Sequence, residues 1–287
     1  MTLLSGRARL AGVLGWPVGH SLSPALHGHW IEEHSLDAAY LPLPVAPEDL
    51  AEVVRALPRA GFRGFNVTIP HKQAVMALLD GIDPAARRIG AVNTVVVGSD
   101  GRLTGRNTDA PGFLAHLRAS APAWPADRPA LLLGAGGAAR AIAVALLDAG
   151  VPDVRIANRT GARAEAVVAA LADPRLTAVA WEARSDRFSD LGLVVNTTSL
   201  GMTGQPPLDM PLAGLPGDAV VADIVYAPLE TGLLAEARAR GLVAVDGLGM
   251  LLHQGVPGFE AWFGVRPTVT DALRDRLLGL LARREHP

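Results

Sequence analysis

The sequence predicts a mixed α/β chain of two domains, and three observations predict it. Beyond residue 129, short apolar runs and helical patterns alternate strictly, the signature of a parallel sheet covered by helices on both faces. A Gly-rich turn, Gly134-Ala-Gly136-Gly137, joins one such run to a helical segment. A Pro-rich stretch, Ala121–Pro129, separates this region from an earlier one with a looser α/β pattern. The 287 residues, 49% of them apolar, suffice for two domains of ordinary size, each with its own core.

In chain order, Ala11–Trp16 reads as a strand. Ser23-Pro24 then reads as a helix start, with Ser23 as N-cap and Pro24 at the first helical position. Pro47-Glu48-Asp49 opens a helix through Leu57, with acids in its first turn. Gly64–Ile69 is a strand and Pro70–Leu79 a helix that follows it. Ala91–Gly98 and Arg102–Gly105 are strands joined by a hairpin at Ser99-Asp100-Gly101. In the second region the order is strand Ala130–Leu133, helix Ala138–Ala149, strand Val154–Ala157 and helix Ala162–Leu171. Strands at Leu193–Val195, Val220–Ile224 and Leu242–Val245 follow. Helices near Met250–Trp262 and Thr268–Arg283 end the chain.

Charge narrows the function classes. The formal net charge of −2 lacks the basic excess of a nucleic-acid footprint. No run approaches the ~18 apolar residues of a membrane span, and the start carries no apolar signal-peptide region. With no cysteine, disulfides and thiolate chemistry are excluded. A cytoplasmic protein is expected. His27 and His29 lie two apart on a predicted helix and share no face, so no metal site is expected. Of the 26 basic residues, Lys72 is the one lysine. Arginine keeps its proton in a protein, whereas lysine can release it, so position 72 reads as one that needs an amine.

The Gly-rich turn has the form of a dinucleotide site. Gly134 permits the tight turn, and Gly136 lets the backbone approach a pyrophosphate at a helix N-terminus, where free N–H groups favour anions. Ala139 replaces the third glycine of that fingerprint. An NAD site would carry an acid at the end of the next strand. This chain instead has Asn158-Arg159-Thr160 there, and Arg163 one turn later. Two guanidinium groups suit a 2′-phosphate, so the residues predict NADP.

Polar clusters stand where strands end: Ser21-Leu-Ser23-Pro24, Asn66-Val-Thr68-Ile-Pro70-His-Lys72, Gly90-Ala-Val-Asn93-Thr94, Asn107-Thr108-Asp109 and Gly247-Leu-Gly249 through Gln254. Gln254 is expected to follow a strand and open a helix. In order and spacing, with the G-A-G-G-A and N-R-T runs, this set resembles the shikimate dehydrogenase family from about Gly15 to Gln254.

The resemblance implies an N-terminal α/β substrate domain, a doubly wound Rossmann-type NADP domain, and C-terminal helices returning to the first domain. The implied ranges are residues 1–109 with 248–287 for substrate and 110–247 for NADP. It implies interconversion of 3-dehydroshikimate and shikimate by hydride transfer. Ser21 and Ser23 would bind the substrate carboxylate, and Thr68, Asn93, Asp109 and Gln254 the ring hydroxyls. Tyr226 would also reach the substrate, and Lys72 with Asp109 would form the catalytic pair. Asn158, Arg159, Thr160 and Arg163 would hold the adenosine phosphate. Gly134, Ala135, Gly136, Gly137 and Ala138, with Ile224 and Gly247, would line the rest of the cofactor. Many members carry a cofactor-contacting acid where this chain has Pro84, next to Asp83. The alternatives are a quinate/shikimate dehydrogenase with looser cofactor choice, and a non-catalytic NADP-binding sensor. The partner is a small molecule. The sequence leaves the oligomeric state open, a homodimer being one option.

Overall fold

The computed structural model describes residues 4–285; residues 1–3 and 286–287, the outer ends of the ranges assigned to the substrate domain, lie outside the described residues. The described chain divides into two units, residues 4–108 with 254–279, and residues 109–253 with 280–285.

The first unit begins with β1 (Arg9–Gly15), α1 (Ser23–Glu33) and β2 (Ala38–Pro44). A 3₁₀ turn at Pro47–Asp49 leads into α2 (Leu50–Ala56), then β3 (Phe62–Val67). After a 3₁₀ segment at Ala74–Leu78 come β4 (Gly81–Ile82), α3 (Pro84–Ile89), β5 (Thr94–Val97) and β6 (Leu103–Arg106). The strands form one mixed sheet in the order β2-β1-β3-β5-β6-β4. β5 and β6 pair antiparallel, the hairpin that Ser99-Asp100-Gly101 predicts. Leu14, Val54, Phe65, Val67, Val75 and Val95 share one apolar cluster. An aromatic cluster contains His27, Trp30, Tyr40, Phe259 and Trp262, with His27 stacked on Tyr40 at 4.0 Å between ring centroids.

Burial drives the His27 imidazole down to a pKa of about 3, with Asn66 pulling the other way. Both its ring nitrogens are buried with no hydrogen-bond partner among the described residues.

The second unit contains α4 (Asp109–Ser120), β7 (Ala130–Leu133), α5 (Gly137–Asp148), β8 (Val154–Ala157), α6 (Gly161–Leu171) and β9 (Leu176–Val179). It continues with β10 (Leu193–Asn196), β11 (Val220–Asp223), α7 (Gly232–Ala239) and β12 (Val243–Val245). Two helices close the chain: α8 (Gly247–Phe263), whose residues from Gln254 group with the first unit, and α9 (Asp271–Glu285). The sheet is wholly parallel, in the order β12-β11-β10-β7-β8-β9. Numbered within the unit, that is the doubly wound order 6-5-4-1-2-3.

The central strand β7 is apolar on both faces because both are covered. Ala130 and Leu132 join one core cluster with Ile142 and Leu146 of α5, while Leu131 and Leu133 join the other with Leu233 and Leu234 of α7.

Three local expectations are corrected. Ser23 is the first residue of α1 and Leu22 its N-cap, with no side-chain cap bond. The Ser21 hydroxyl instead accepts the Ser23 N–H at 3.2 Å, so the capping group lies two residues earlier. Lys72 is not on an α-helix. Its carbonyl accepts the Val92 N–H at 2.8 Å, and Met76 N–H turns to the Gln73 carbonyl, leaving only turns and a 3₁₀ segment. Gln254 does not open a helix but sits two turns inside α8, which begins at Gly247.

Candidate active site

In the first unit the polar clusters converge on a buried array at the ends of β3, β5 and β6. Asn66 is nearly the last residue of β3. Its Oδ1 accepts the Tyr40 hydroxyl at 2.6 Å, and its Nδ2 donates to the Asn93 carbonyl and to Thr94 Oγ1, both at 3.1 Å. Asn93 is the hub. Its Oδ1 accepts the Thr108 N–H at 2.8 Å and the Thr94 hydroxyl at 3.0 Å. Its Nδ2 donates to Thr108 Oγ1 at 3.0 Å and to Gln254 Oε1 at 3.3 Å. Asn107 Nδ2 closes the edge by donating to the Ala91 carbonyl at 2.9 Å. All these residues are buried. Such a network, with its members mutually satisfied, holds its side chains in one arrangement.

The structure thus joins Asn93 and Gln254, two residues that the resemblance assigns to the ring hydroxyls of the substrate. It adds Tyr40, Asn66, Thr94, Asn107 and Thr108, to which the motifs alone give no role. Asn66, Thr94, Asn107 and Thr108 stand inside the polar runs, which is the signal that could have found them; Tyr40 has none. The Asn93 amide is committed to protein partners, so its first task is to order the array.

Thr68 and Lys72 are both half-buried and follow β3 directly. Thr68 N–H donates to the Leu14 carbonyl at 2.9 Å, and the buried His71 ring meets the Val45 carbonyl at 2.8 Å. These bonds, with that of Val92 to Lys72, fix the backbone on both sides of the lysine. At α1, no acid lies in the first turn and the N-cap residue Leu22 has no polar side chain, the Ser21 hydroxyl taking the Ser23 N–H, an arrangement that favours an anion there. Ser23 is buried and Ser21 half-buried beside it. Asp83 is spent on its own helix: its Oδ1 accepts the Ala86 N–H at 2.6 Å as the N-cap of α3, with Pro84 in the first helical turn.

In the second unit, Asp109 is the buried first residue of α4, where a helix N-terminus favours a carboxylate. The Gly-rich turn sits at the carboxyl end of β7, where ligands bind in open parallel sheets. Gly134 has φ +111, and a Cβ there would lie 2.6 Å from Thr197 Oγ1. Gly136 caps α5 with an extended backbone, is exposed, and faces open space.

No side-chain cap and no acid occupy the first turn of α5. Arg140 in that helix keeps a buried Nε without a hydrogen-bond partner among the described residues. These are the features of an anion cradle. Leu133 pairs with Ala157, and Gly134 N–H donates to the Ala157 carbonyl at 2.8 Å. That register sets Asn158, Arg159 and Thr160 next to the turn. Arg159, Thr160 and Arg163 are exposed, and Asn158 Nδ2 donates to the Thr160 carbonyl at 2.9 Å, shaping the loop.

The remaining residues follow β11 and β12. Ile224 and Tyr226 are half-buried on the loop after β11. Gly247 opens α8 under that loop, where a Cβ would lie 2.3 Å from the Ile224 carbonyl oxygen. Asp223 is buried beneath the same loop; its place at the end of an apolar strand gives no sign of function in the sequence. A group of three or more His, Asp or Glu able to hold a metal ion does not occur among the described residues. No helix among them is long and apolar enough to cross a membrane.

Three family models match the chain: "Shikimate dehydrogenase substrate binding domain" over residues 13–95, "Shikimate / quinate 5-dehydrogenase" over 121–201, and "Shikimate 5'-dehydrogenase C-terminal domain" over 247–278. Shikimate dehydrogenase (NADP(+)) of Paramagnetospirillum magneticum is 62% identical over 94% of this chain and 98% of its own. A solved shikimate 5-dehydrogenase of Thermus thermophilus, in complex with NADP(H) and shikimate, is 41% identical, with a TM-score of 0.82 over 96% of this chain and 99% of its own. Quinate dehydrogenase of Corynebacterium glutamicum in complex with NAD is 33% identical, with a TM-score of 0.87 over 95% and 99%.

Proposed function

The chain belongs to the shikimate dehydrogenase family, and from that premise we propose that it is an NADP-dependent enzyme that interconverts 3-dehydroshikimate and shikimate in aromatic amino-acid biosynthesis. The observation that carries the cofactor choice is the exposed, uncapped Gly136 turn with Arg159 set next to it by strand register and Arg163 exposed in the first turn of the helix that follows. The substrate choice comes with the family.

Residues 110–247 hold NADP in this reading. Gly134 to Ala138 take the pyrophosphate on the N–H groups of α5. Asn158, Arg159, Thr160 and Arg163 take the adenosine phosphate, and Ile224 and Gly247 line the other end. Bound NADP supplies the hydride chemistry.

Residues 1–109 and 248–287 hold the substrate. The Ser21 and Ser23 hydroxyls and the α1 N-terminus take its carboxylate. Thr68, Asn93, Asp109, Gln254 and Tyr226 take its ring oxygens. Lys72 and Asp109 form the acid–base pair. In reduction the Lys72 ammonium stabilises the negative charge that develops on the carbonyl oxygen, and the pair delivers a proton to that oxygen. In oxidation the same pair withdraws the hydroxyl proton. A cytoplasmic setting, suggested by the lack of cysteine, and a homodimer belong to the same reading.

The test is NADPH formation with shikimate and with quinate, repeated with NAD. Shikimate with NADP is expected to support turnover well above the other three combinations. Absence of NADPH formation from shikimate overturns the reading. Comparable quinate turnover with NAD transfers the chain to the broader quinate/shikimate activity.

A further inference from the structure

We propose that Asp223 is a positioning residue of this reaction, its buried carboxylate holding residues 224–226 so that Ile224 and Tyr226 meet cofactor and substrate. The proposal rests on the function given above. Asp223 touches neither ligand in that reading. It ends β11 and is 2% exposed. Its Oδ1 accepts the Val225 N–H and the Asn196 Nδ2–H, both at 2.9 Å, and its Oδ2 accepts the Thr231 hydroxyl at 2.8 Å. Three donors from three places therefore meet on one carboxylate: the end of β10, the loop after β11, and the N-cap of α7.

The network reaches further. Asn196 Oδ1 accepts the Thr198 N–H at 3.0 Å and its hydroxyl at 2.7 Å. Thr197 Oγ1 donates to the Leu133 carbonyl at 2.7 Å, and Thr197 and Thr198 are the groups against which Gly134 packs. On the other side, Gly247 lies against the Ile224 and Val225 carbonyls. Asp223 thus sits at the node joining the Gly-rich turn, Ile224 and Gly247, three of the features assigned to the cofactor in this unit. A cavity of about 210 Å³ is lined in part by Leu200, Gly201, Gln205, Asp223 and Thr231.

The charge is retained at a cost. Burial lifts the Asp223 pKa from 3.8 to about 6, against its hydrogen bonds to Val225, Thr231 and Asn196. None of the causes of that shift is a charged side chain. An unpaired buried carboxylate opposes folding. What the charge adds is bond strength, since ionised acceptors hold N–H groups about twice as firmly as neutral ones. Stability and positioning therefore pull in opposite directions at this residue.

Asp223→Asn separates them. The amide keeps an acceptor for Val225 and Asn196 and turns its NH₂ toward the Thr231 oxygen, so shape is conserved while charge is lost. Four quantities are measured on the full chain: the melting temperature, the NADP+ Kd by calorimetry without substrate, and the KM and kcat for shikimate. The melting temperature is expected to hold or rise, while Kd and KM each rise about threefold. Asp223→Ala is expected to raise both about tenfold. Unchanged Kd and KM in Asp223→Asn overturn the proposal, whether or not the melting temperature moves and whether or not Asp223→Ala folds. Absence of wild-type turnover on shikimate would instead count against the functional reading, and the NADP+ Kd would still judge the positioning role.

Discussion

Alanine at Gly134 and at Gly136 separates what the turn needs in order to fold from what it needs in order to bind. At Gly134 the backbone has φ +111, a region closed to alanine without strain of about 1–3 kcal/mol. The new Cβ would stand 2.6 Å from Thr197 Oγ1 and 3.0 Å from Thr198 Cγ2. Thr197 cannot yield freely, because its hydroxyl is bonded to the Leu133 carbonyl, and breaking that bond costs about 1 kcal/mol more. The two effects place Gly134→Ala roughly 2–4 kcal/mol below wild type, a fall in melting temperature of about 5–15 °C.

At Gly136 the same atom meets nothing within 4 Å, and φ −87 with ψ −171 suits alanine. The cost there is a weaker N-cap, about 1 kcal/mol or less. Yet that Cβ enters the space assigned to the pyrophosphate. Gly136→Ala should therefore melt within about 4 °C of wild type while its NADP+ Kd, measured by calorimetry, rises about tenfold or more. Wild-type NADP+ affinity in Gly136→Ala would refute the assignment of the turn, and an unchanged melting temperature in Gly134→Ala would refute the steric argument.

Three further outcomes are expected. Lys72→Met should lower kcat by about a hundredfold or more with the NADP+ Kd within about twofold of wild type, and steady-state kinetics retaining most of the turnover would remove the amine from the chemistry. Arg159→Asp should move the ratio of kcat/KM for NADP over NAD toward NAD by about tenfold or more, since a carboxylate repels the 2′-phosphate; an unmoved ratio counts against that pocket. His27 is neutral and buried with its pKa depressed from 6.5 to about 3, so its contribution to stability is complete above 6.5 and is lost as pH falls toward 3, at about 1.4 kcal/mol per pH unit. His27→Phe, which fits the ring stack on Tyr40 and needs no hydrogen-bond partner, should flatten that acid limb in melts between pH 6.5 and 4, and an identical limb would place the titration elsewhere.

The elements most legible in the sequence are those whose signal is local. β7, α5 and β8 announce themselves through apolar runs, the Gly-rich turn and helical spacing within about thirty residues. Elements escape notice where local chemistry disguises them. β2 carries Pro42 and Pro44, which are tolerated because it lies at the sheet edge. β9 is also an edge strand with exposed residues at Thr177 and Ala178. α4 hides behind Pro111 and Gly112 in its first turn.

The sequence by itself determined the chemistry of this protein: which residues can carry charge, where a phosphate can meet a helix, and that one amine stands among arginines. Those properties belong to single side chains and to neighbours along the chain. The tertiary structure alone decided who holds whom. Lys72 leaves the helix because its carbonyl finds Val92, Asn93 meets Gln254 across 161 residues, and Asp223 gathers three donors from separate elements. A hydrogen bond between distant residues depends on positions in space, and those are set only once the two cores have packed.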